Sequence, residues 1–335
     1  MKSGLLLINL GSPASTKVRH VRSYLREFLS DPDVIDLPAL GRNLLLYGVI
    51  LPFRPSKSAH AYQTIWADRG SPLIFHTEDL TAGVAERLKD VSVKMAMRYG
   101  KPSIADALKD FARQGIHRIH AIALYPQYSS ASMGSTYKEL LRRNAELKDP
   151  LFVSCEPAFY GDEGFKSAWE KNLSAFADLK EHHFLFSFHG IPERQVLRSS
   201  ENGHCSLGEC CHRSTPDFCY RAQCLATART LAERLGLGEQ QWEMTFQSRL
   251  GRTPWLKPYT DIRLQELPGE GKKKIALVSP SFVADCLETL EELNVRARED
   301  FLKAGGESFV FVSSLNSSPA WIEAVATMGR RALQG

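Results

Sequence analysis

The chain has 335 residues, 43% of them hydrophobic, with 42 basic side chains against 38 acidic and a net charge of +4. That composition suits one large or two ordinary globular domains with a sizeable core, and so excludes a disordered chain. The charge balance is too mild for a nucleic-acid partner, and no apolar stretch approaches the roughly 20 residues that span a bilayer.

Leu5–Leu10 is apolar but too short for a secretory core and has no small-residue cleavage site. It is expected to be the first strand of a cytoplasmic protein. The turn after it, Asn9-Leu10-Gly11-Ser12-Pro13, lacks G-x-G-x-x-G spacing, and Pro13 removes an N–H that a phosphate would use. It is therefore expected to line a cleft rather than bind a dinucleotide. The segment Val34–Lys57 is rich in leucine and carries Arg42, Arg54 and Lys57. Two readings stand: a buried helix followed by a proline-marked loop, or an exposed apolar lip over a flat ligand or a membrane surface.

Further β-rich runs are Val93–Tyr99, Ile119–Tyr125, Leu151–Glu156, Phe184–His189, Glu243–Phe246, Ile275–Val278 and Phe309–Val312. Helical patterns lie between them at Ser15–Leu29, Leu80–Leu88, Ile104–Arg113, Ser135–Leu147, Phe165–Ala177, Arg221–Leu235, Asp285–Lys303 and Pro319–Leu333. Alternation of this kind predicts an α/β protein with parallel sheets. Eight strands suggest two similar halves, residues 1–160 and 161–335, with a final helix over 319–333 in the second.

His189 closes the run Phe184-Leu185-Phe186-Ser187-Phe188 and precedes Gly190-Ile191-Pro192. A buried strand ending in a Gly/Pro break places its imidazole at a carboxyl end, where open α/β sheets bind ligands. There it can accept a proton or bind a metal. Asp285, Glu288 and Glu292 follow the strand Ile275–Val278 at i, i+3, i+7 spacing. On a helix they share one face. That stripe reads either as a solvated face or as a path for divalent cations or protons beside His189, and imidazole with carboxylate suits Fe(II). Arg98-Tyr99-Gly100, Tyr125-Pro126-Gln127-Tyr128-Ser129 and Gln247-Ser248-Arg249 with Pro254-Trp255 close other strands. Together they suit a planar, anionic, aromatic ligand.

Five of seven cysteines fall in one loop over 199–224: Cys205, Cys210, Cys211, Cys219 and Cys224. Zinc with His204 and His212 as extra ligands is one reading, but the paired C-x2-C of zinc ribbons is absent. Four thiolates holding a two-iron, two-sulfur cluster fit better, and a reactive thiol loop is the third reading. The expected ligands are Cys205, Cys211, Cys219 and Cys224, with Cys210 as the alternative to Cys211.

The ordered set Tyr125-Pro126-Gln127-Tyr128-Ser129, Ser187-Phe188-His189-Gly190-Ile191-Pro192, Gln247-Ser248-Arg249 with Pro254-Trp255-Leu256, and Phe282-x2-Asp285-x2-Glu288-Thr289-Leu290 resembles the ferrochelatases over nearly the whole chain. The resemblance implies two pseudo-symmetric Rossmann-like domains of the class II chelatase type, and a lyase that inserts Fe(II) into protoporphyrin IX to give protoheme, ending protoporphyrin-dependent heme biosynthesis. By the same resemblance, His189 and Glu288 are the catalytic pair that meets the Fe2+ substrate, and Asp285 and Glu292 extend the acidic path. Leu10, Ser71, Arg98, Tyr99, Tyr128 and Trp255 line the porphyrin. Residues 34–57 form the lip and a peripheral contact with the inner face of the membrane, and an upstream heme-pathway oxidase is a candidate partner. Some members carry a [2Fe-2S] cluster, in line with the cysteine loop. Two positions depart from the family: Cys286 stands where some members have His, and Leu10 where others have Tyr or Met. The competing readings are a chelatase for another tetrapyrrole, placing cobalt or nickel in a sirohydrochlorin-type ring, and a non-catalytic heme or iron sensor.

Overall fold

The computed structural model describes residues 3–334 other than 177, 178, 180, 201–204, 214–216, 250 and 252. It contains two compact units. The first comprises the chain through Tyr125, Ser129–Pro157 and the stretch from Asn316 onward; the second comprises Pro126–Tyr128 and Ala158–Leu315.

Each unit is built on a four-stranded parallel sheet. Strands β1 (Ser3–Gly11), β2 (Val91–Tyr99), β3 (Arg118–Ala123) and β4 (Phe152–Cys155) lie in the order β2-β1-β3-β4. Strands β5 (His183–His189), β6 (Trp242–Gln247), β7 (Lys274–Val278) and β8 (Ser308–Val312) repeat it as β6-β5-β7-β8. All eight expected strands are present, within a few residues of their expected limits. The central strands are buried on both faces, as near-continuous apolar runs require: Leu5 to Ile8 and Leu185, Phe186 and Phe188 expose nothing. In this order the chain leaves β1 or β5 on one side and returns on the other. The gap beyond the carboxyl ends of β1 and β3, and of β5 and β7, is therefore a topological switch point, where such sheets bind ligands.

The last helix, Pro319–Gln334, belongs to the first unit, not to the second half in which its sequence position puts it. Two glycines let it come close. A Cβ on Gly83 would meet Ile322 Cδ1 at 2.5 Å, and one on Gly329 would meet Leu5 at 2.7 Å. Arg331 also donates to the buried Glu156 at 2.8 Å. Sequence order cannot reveal a return of this kind, because it depends on complementary surfaces far apart in the chain.

Segment 34–57 is neither a buried helix nor a proline-marked loop. Helix Ala39–Leu45 runs through a π-helical turn, Leu46–Ile50, into helix Leu51–Ile65. Pro52 and Pro55 both lie within this continuous helical run, where each removes one N–H from the ladder. Leu46 and Leu51 point inward, while Leu40 and Phe53 are each 75% exposed and Leu44, Tyr47 and Val49 are also exposed. No helix among the described residues is long and apolar enough to cross a membrane.

Candidate active site

The second unit concentrates titratable side chains at its switch point. His189 is the last residue of β5 and is paired in register with Gln247 of β6. Its Nδ1 lies 2.6 Å from the carbonyl oxygen of Gly190. A carbonyl oxygen can only accept, so Nδ1 carries a proton, and Nε2 is the ring nitrogen left for a proton or a metal. The imidazole is flanked by Trp255 at 6.5 Å and Phe282 at 6.1 Å between ring centroids. Gly190 is required here, since a Cβ would stand 2.8 Å from the Gln247 carbonyl and 3.2 Å from the Trp255 ring. The short antiparallel bridge Pro192↔Trp255 brings Trp255 to the site.

The acidic groups come from the segment after β7. The helix begins at Leu287 and is wound as a π-helix over Glu288–Ala297. Such windings recur at functional sites. Glu292 accepts from the Ser248 amide at 2.8 Å and from the Ser248 hydroxyl at 2.6 Å. Burial, and then the nearby negative charge of Glu288, raise its pKa above the ordinary carboxylate range, although Ser248 and His189 pull the other way. His189 and Glu288 are therefore both close enough for their charge to be felt at Glu292.

Asp285 does not share that face. It precedes the helix, is 4% exposed, and its Oδ1 accepts from the Thr289 hydroxyl at 3.0 Å and the Ser314 amide at 3.1 Å. Its carboxylate is tied to the first turn by the Thr289 hydroxyl and to the loop after β8 by the Ser314 amide, two residues before the helix starts at Leu287. Cys286 is buried, and its thiol is held in the neutral form by that burial.

Of the expected porphyrin-lining residues, Leu10, Ser71, Arg98 and Tyr99 lie in the first unit and Tyr128 and Trp255 in the second. Leu10, Tyr128 and Trp255 are half-buried. Ser71 is buried just before helix Pro72–Arg87. Tyr99 is 1% exposed, with its hydroxyl donating to Asp31 at 2.8 Å. Arg98 also donates to Asp31, as does Ser135. Burial opposes charge on Asp31, but these donors outweigh it and hold the carboxyl below its usual range. Arg98 and Tyr99 thus form an internal lock around Asp31 rather than an open lining. Asp31 gave no sequence signal, since an isolated Asp after a helix reads as a cap. Ser281 also escaped the sequence reading, and Ser248 and Phe282 entered it only as members of motifs, because their partners come from the folded loops.

In the cysteine loop, Cys210 and Cys211 sit on the short helix Cys210–Arg213, and Cys219 caps helix Tyr220–Arg234. Cys205 lies beside Cys210, and Cys211 beside Cys219. Backbone amides also face sulfur: Ser206 N donates to Cys210 Sγ and Leu207 N to Cys205 Sγ, both at 3.4 Å. Leu207 has φ +57°. Successive amides in such a turn make an anion nest of the kind found at iron–sulfur sites. Cys224 lies inside the helix, fully buried beside Tyr220 and within electrostatic reach of Cys211. Among the described residues no group of three or more His, Cys, Asp or Glu side chains is arranged to hold a single metal ion. His204, an expected extra ligand, lies outside the described residues, and His212 contacts Arg229 at 3.1 Å.

Solved structures sharing the fold include SirB from Bacillus subtilis with Fe3+, with TM-score 0.57 and 12% identity over 99% of this chain and 95% of that one. CbiX, described as the terminal enzyme for biosynthesis of siroheme in denitrifying bacteria, gives TM-score 0.51 and 12% identity over 98% of this chain and 99% of that one. At such identities the likeness concerns the fold alone. Sequence relatives are much nearer. The ferrochelatase of Ectopseudomonas mendocina is 44% identical over 334 residues, covering 98% of each chain. That of Pseudomonas putida is 42% identical over the same span and coverage. The sequence model of the ferrochelatase family matches residues 2–333, and the chain belongs to that family.

Proposed function

We propose that this protein is a lyase that inserts Fe(II) into protoporphyrin IX and releases protoheme, completing the porphyrin branch of heme biosynthesis. The observation that carries the reading is His189: an imidazole whose Nδ1 is committed to the Gly190 carbonyl, between two aromatic rings, with its charge and that of Glu288 felt at Glu292. The reaction balances without redox change. Fe2+ enters, four Fe–N bonds form, and two pyrrole N–H protons leave. His189 Nε2 takes one proton, and a carboxylate of the Glu288–Glu292 pair takes the other and passes it to solvent. In the second unit the half-buried Tyr128 and Trp255 are the expected porphyrin contacts; in the first, Leu10, Ser71, Arg98 and Tyr99 keep the porphyrin-binding role that the family resemblance implies. Loss of porphyrin fluorescence under anaerobic conditions, with Fe(II) supplied, tests the reading. The same protein should lose this activity on His189→Ala. Tight heme binding without insertion would favour a sensor, and preference for a carboxylate-rich ring with cobalt or nickel would favour another chelatase.

The cysteine loop fits a [2Fe-2S] cluster by its thiol pairs and its amide nest. The pairing favours Cys205, Cys210, Cys211 and Cys219 as ligands over the set that includes Cys224, which lies inside the helix. Such a cluster, when bound, would cross-link the loop, and metal insertion asks no electron of it. Visible absorption lost in single Cys→Ser variants at these four positions, and kept in Cys224→Ser, tests the assignment. Segment 34–57 supports a peripheral membrane contact for a cytoplasmic enzyme, placing it where an apolar porphyrin would arrive from an upstream oxidase.

A further inference from the structure

His189 sits where the ladder between β5 and β7 has already ended. The last pair across it is Phe186↔Val278. The backbone groups of His189 are met by side chains instead, as buried polar groups require. Its N–H donates to Ser281 Oγ at 3.2 Å. Its carbonyl accepts from the Tyr220 hydroxyl at 2.7 Å. On the far side of the same peptide, Gly190 N–H donates to the Gln247 carbonyl at 2.8 Å. The His189–Gly190 peptide plane is thus pinned at both ends, one of them by Tyr220. The next carbonyl along, that of Gly190, is the one that fixes the imidazole tautomer.

Tyr220 is 6% exposed and is the first residue of helix Tyr220–Arg234. It follows Cys219 directly, and its side chain also bonds with Cys224 and Ser281. One phenol therefore touches both the cysteine-bearing helix and the backbone of the active-site histidine. We propose that Tyr220 is a positioning residue for metal insertion: its hydroxyl holds the His189–Gly190 peptide so that Nε2 is presented correctly, and through it order in the cysteine loop is transmitted to His189. This rests on the reading of His189 given above.

Tyr220→Phe in the full-length protein keeps the ring and removes only the hydroxyl. It should lower kcat about ten- to a hundredfold, the range expected when a reacting group loses its alignment. The KM for protoporphyrin should change less than about twofold, because no porphyrin contact is lost. Deuterium exchange of the amides in residues 184–192 should quicken. A loss of packing alone would not separate kcat from KM in this way. Ser281→Ala, which frees the other backbone group of His189, should act in the same direction and serves if Tyr220→Phe does not fold. The link to the loop is read by adding Cys219→Ser: exchange at 184–192 should rise in the single Cys219 variant and rise no further in the double variant with Tyr220→Phe. Wild-type kcat and exchange in both Tyr220→Phe and Ser281→Ala, with His189→Ala inactive, would overturn the positioning role alone. Additive exchange in the double variant would overturn the link. An active His189→Ala would instead remove the reading of the site beneath it.

Discussion

The two sheets end alike and yet do different work. At the carboxyl end of β1 the chain reads Leu10-Gly11-Ser12-Pro13; at the end of β5 it reads His189-Gly190-Ile191-Pro192. Both glycines are needed for close backbone approach. A Cβ on Gly11 would meet the Tyr99 carbonyl at 1.8 Å, and one on Gly190 the Gln247 carbonyl at 2.8 Å. Both neighbouring strands also end in a left-handed residue, Gly100 at φ +86° and Ser248 at φ +65°. In the first unit that position is glycine, which adopts it without cost. In the second it is serine, whose amide and hydroxyl hold Glu292. Strain tolerated at one end and avoided at the other marks where a side chain is needed. The sheet of the first unit ends in an apolar residue at this place, Leu10, and that of the second in a titratable one, His189.

The largest effect should follow from removing the group that most separates the two ends. His189→Ala should lower kcat about a thousandfold, within the range for a lost proton acceptor, while porphyrin fluorescence titration still shows binding. Leu10→Ala, at the matching place in the first unit, should change kcat less than about tenfold and act mainly on KM. Equal losses at both positions would break the contrast.

Glu292 sharpens it. Its raised pKa means that it stays protonated to higher pH than an ordinary glutamic acid, so the carboxylate appears only as pH rises through that raised value. Turnover should therefore fall on the acidic side sooner than an unperturbed carboxyl predicts. Glu292→Gln should lower kcat about ten- to thirtyfold and flatten that acidic limb. A limb unchanged in Glu292→Gln would assign it to another group.

Much of this was legible in the sequence because it lies in local pattern. Eight apolar runs separated by helical ones were enough for the two parallel sheets, and a Phe-rich run ending in His-Gly-Ile-Pro was enough for His189. What was not legible depends on partners distant in the chain. The helix Pro319–Gln334 returns to the first unit because Gly83 and Gly329 leave room for it. Asp285 leaves the acidic stripe because Thr289 and the Ser314 amide claim its carboxylate. Arg98 and Tyr99 turn inward because Asp31, more than sixty residues earlier, accepts from both. The cysteine pairing likewise depends on where a short helix starts, and helix limits are the least certain part of any sequence reading.

Ser248 allows a smaller and cleaner test. Ser248→Gly removes the side chain from a left-handed position, which by itself should raise stability slightly, by about 0.5–1 kcal/mol, opposed by the entropy that glycine adds to the unfolded chain. The variant also takes one of two donors from Glu292 while keeping the amide. The melting temperature should stay within a few degrees, and kcat should fall severalfold. A variant that melts well below the wild type would show that the left-handed serine is not strained.

The smallest change in stability is expected on the exposed apolar helices of the first unit. Leu40 and Phe53 are each 75% exposed, so replacing both with serine removes little buried surface and should shift folding by less than about 0.5 kcal/mol. Contact with lipid is another matter. Each side chain that enters an interface contributes in proportion to its apolar area, about 25 cal/mol per Å². The basic Arg42, Arg54 and Lys57 on the same segment would add attraction to anionic headgroups. Co-sedimentation with vesicles containing phosphatidylglycerol should therefore weaken several-fold in the double variant, while turnover on detergent-dispersed porphyrin stays near that of the wild type. Turnover lost together with vesicle binding would mean that these side chains meet the porphyrin itself, and the apolar role of the first unit would then be recognition of substrate rather than of membrane.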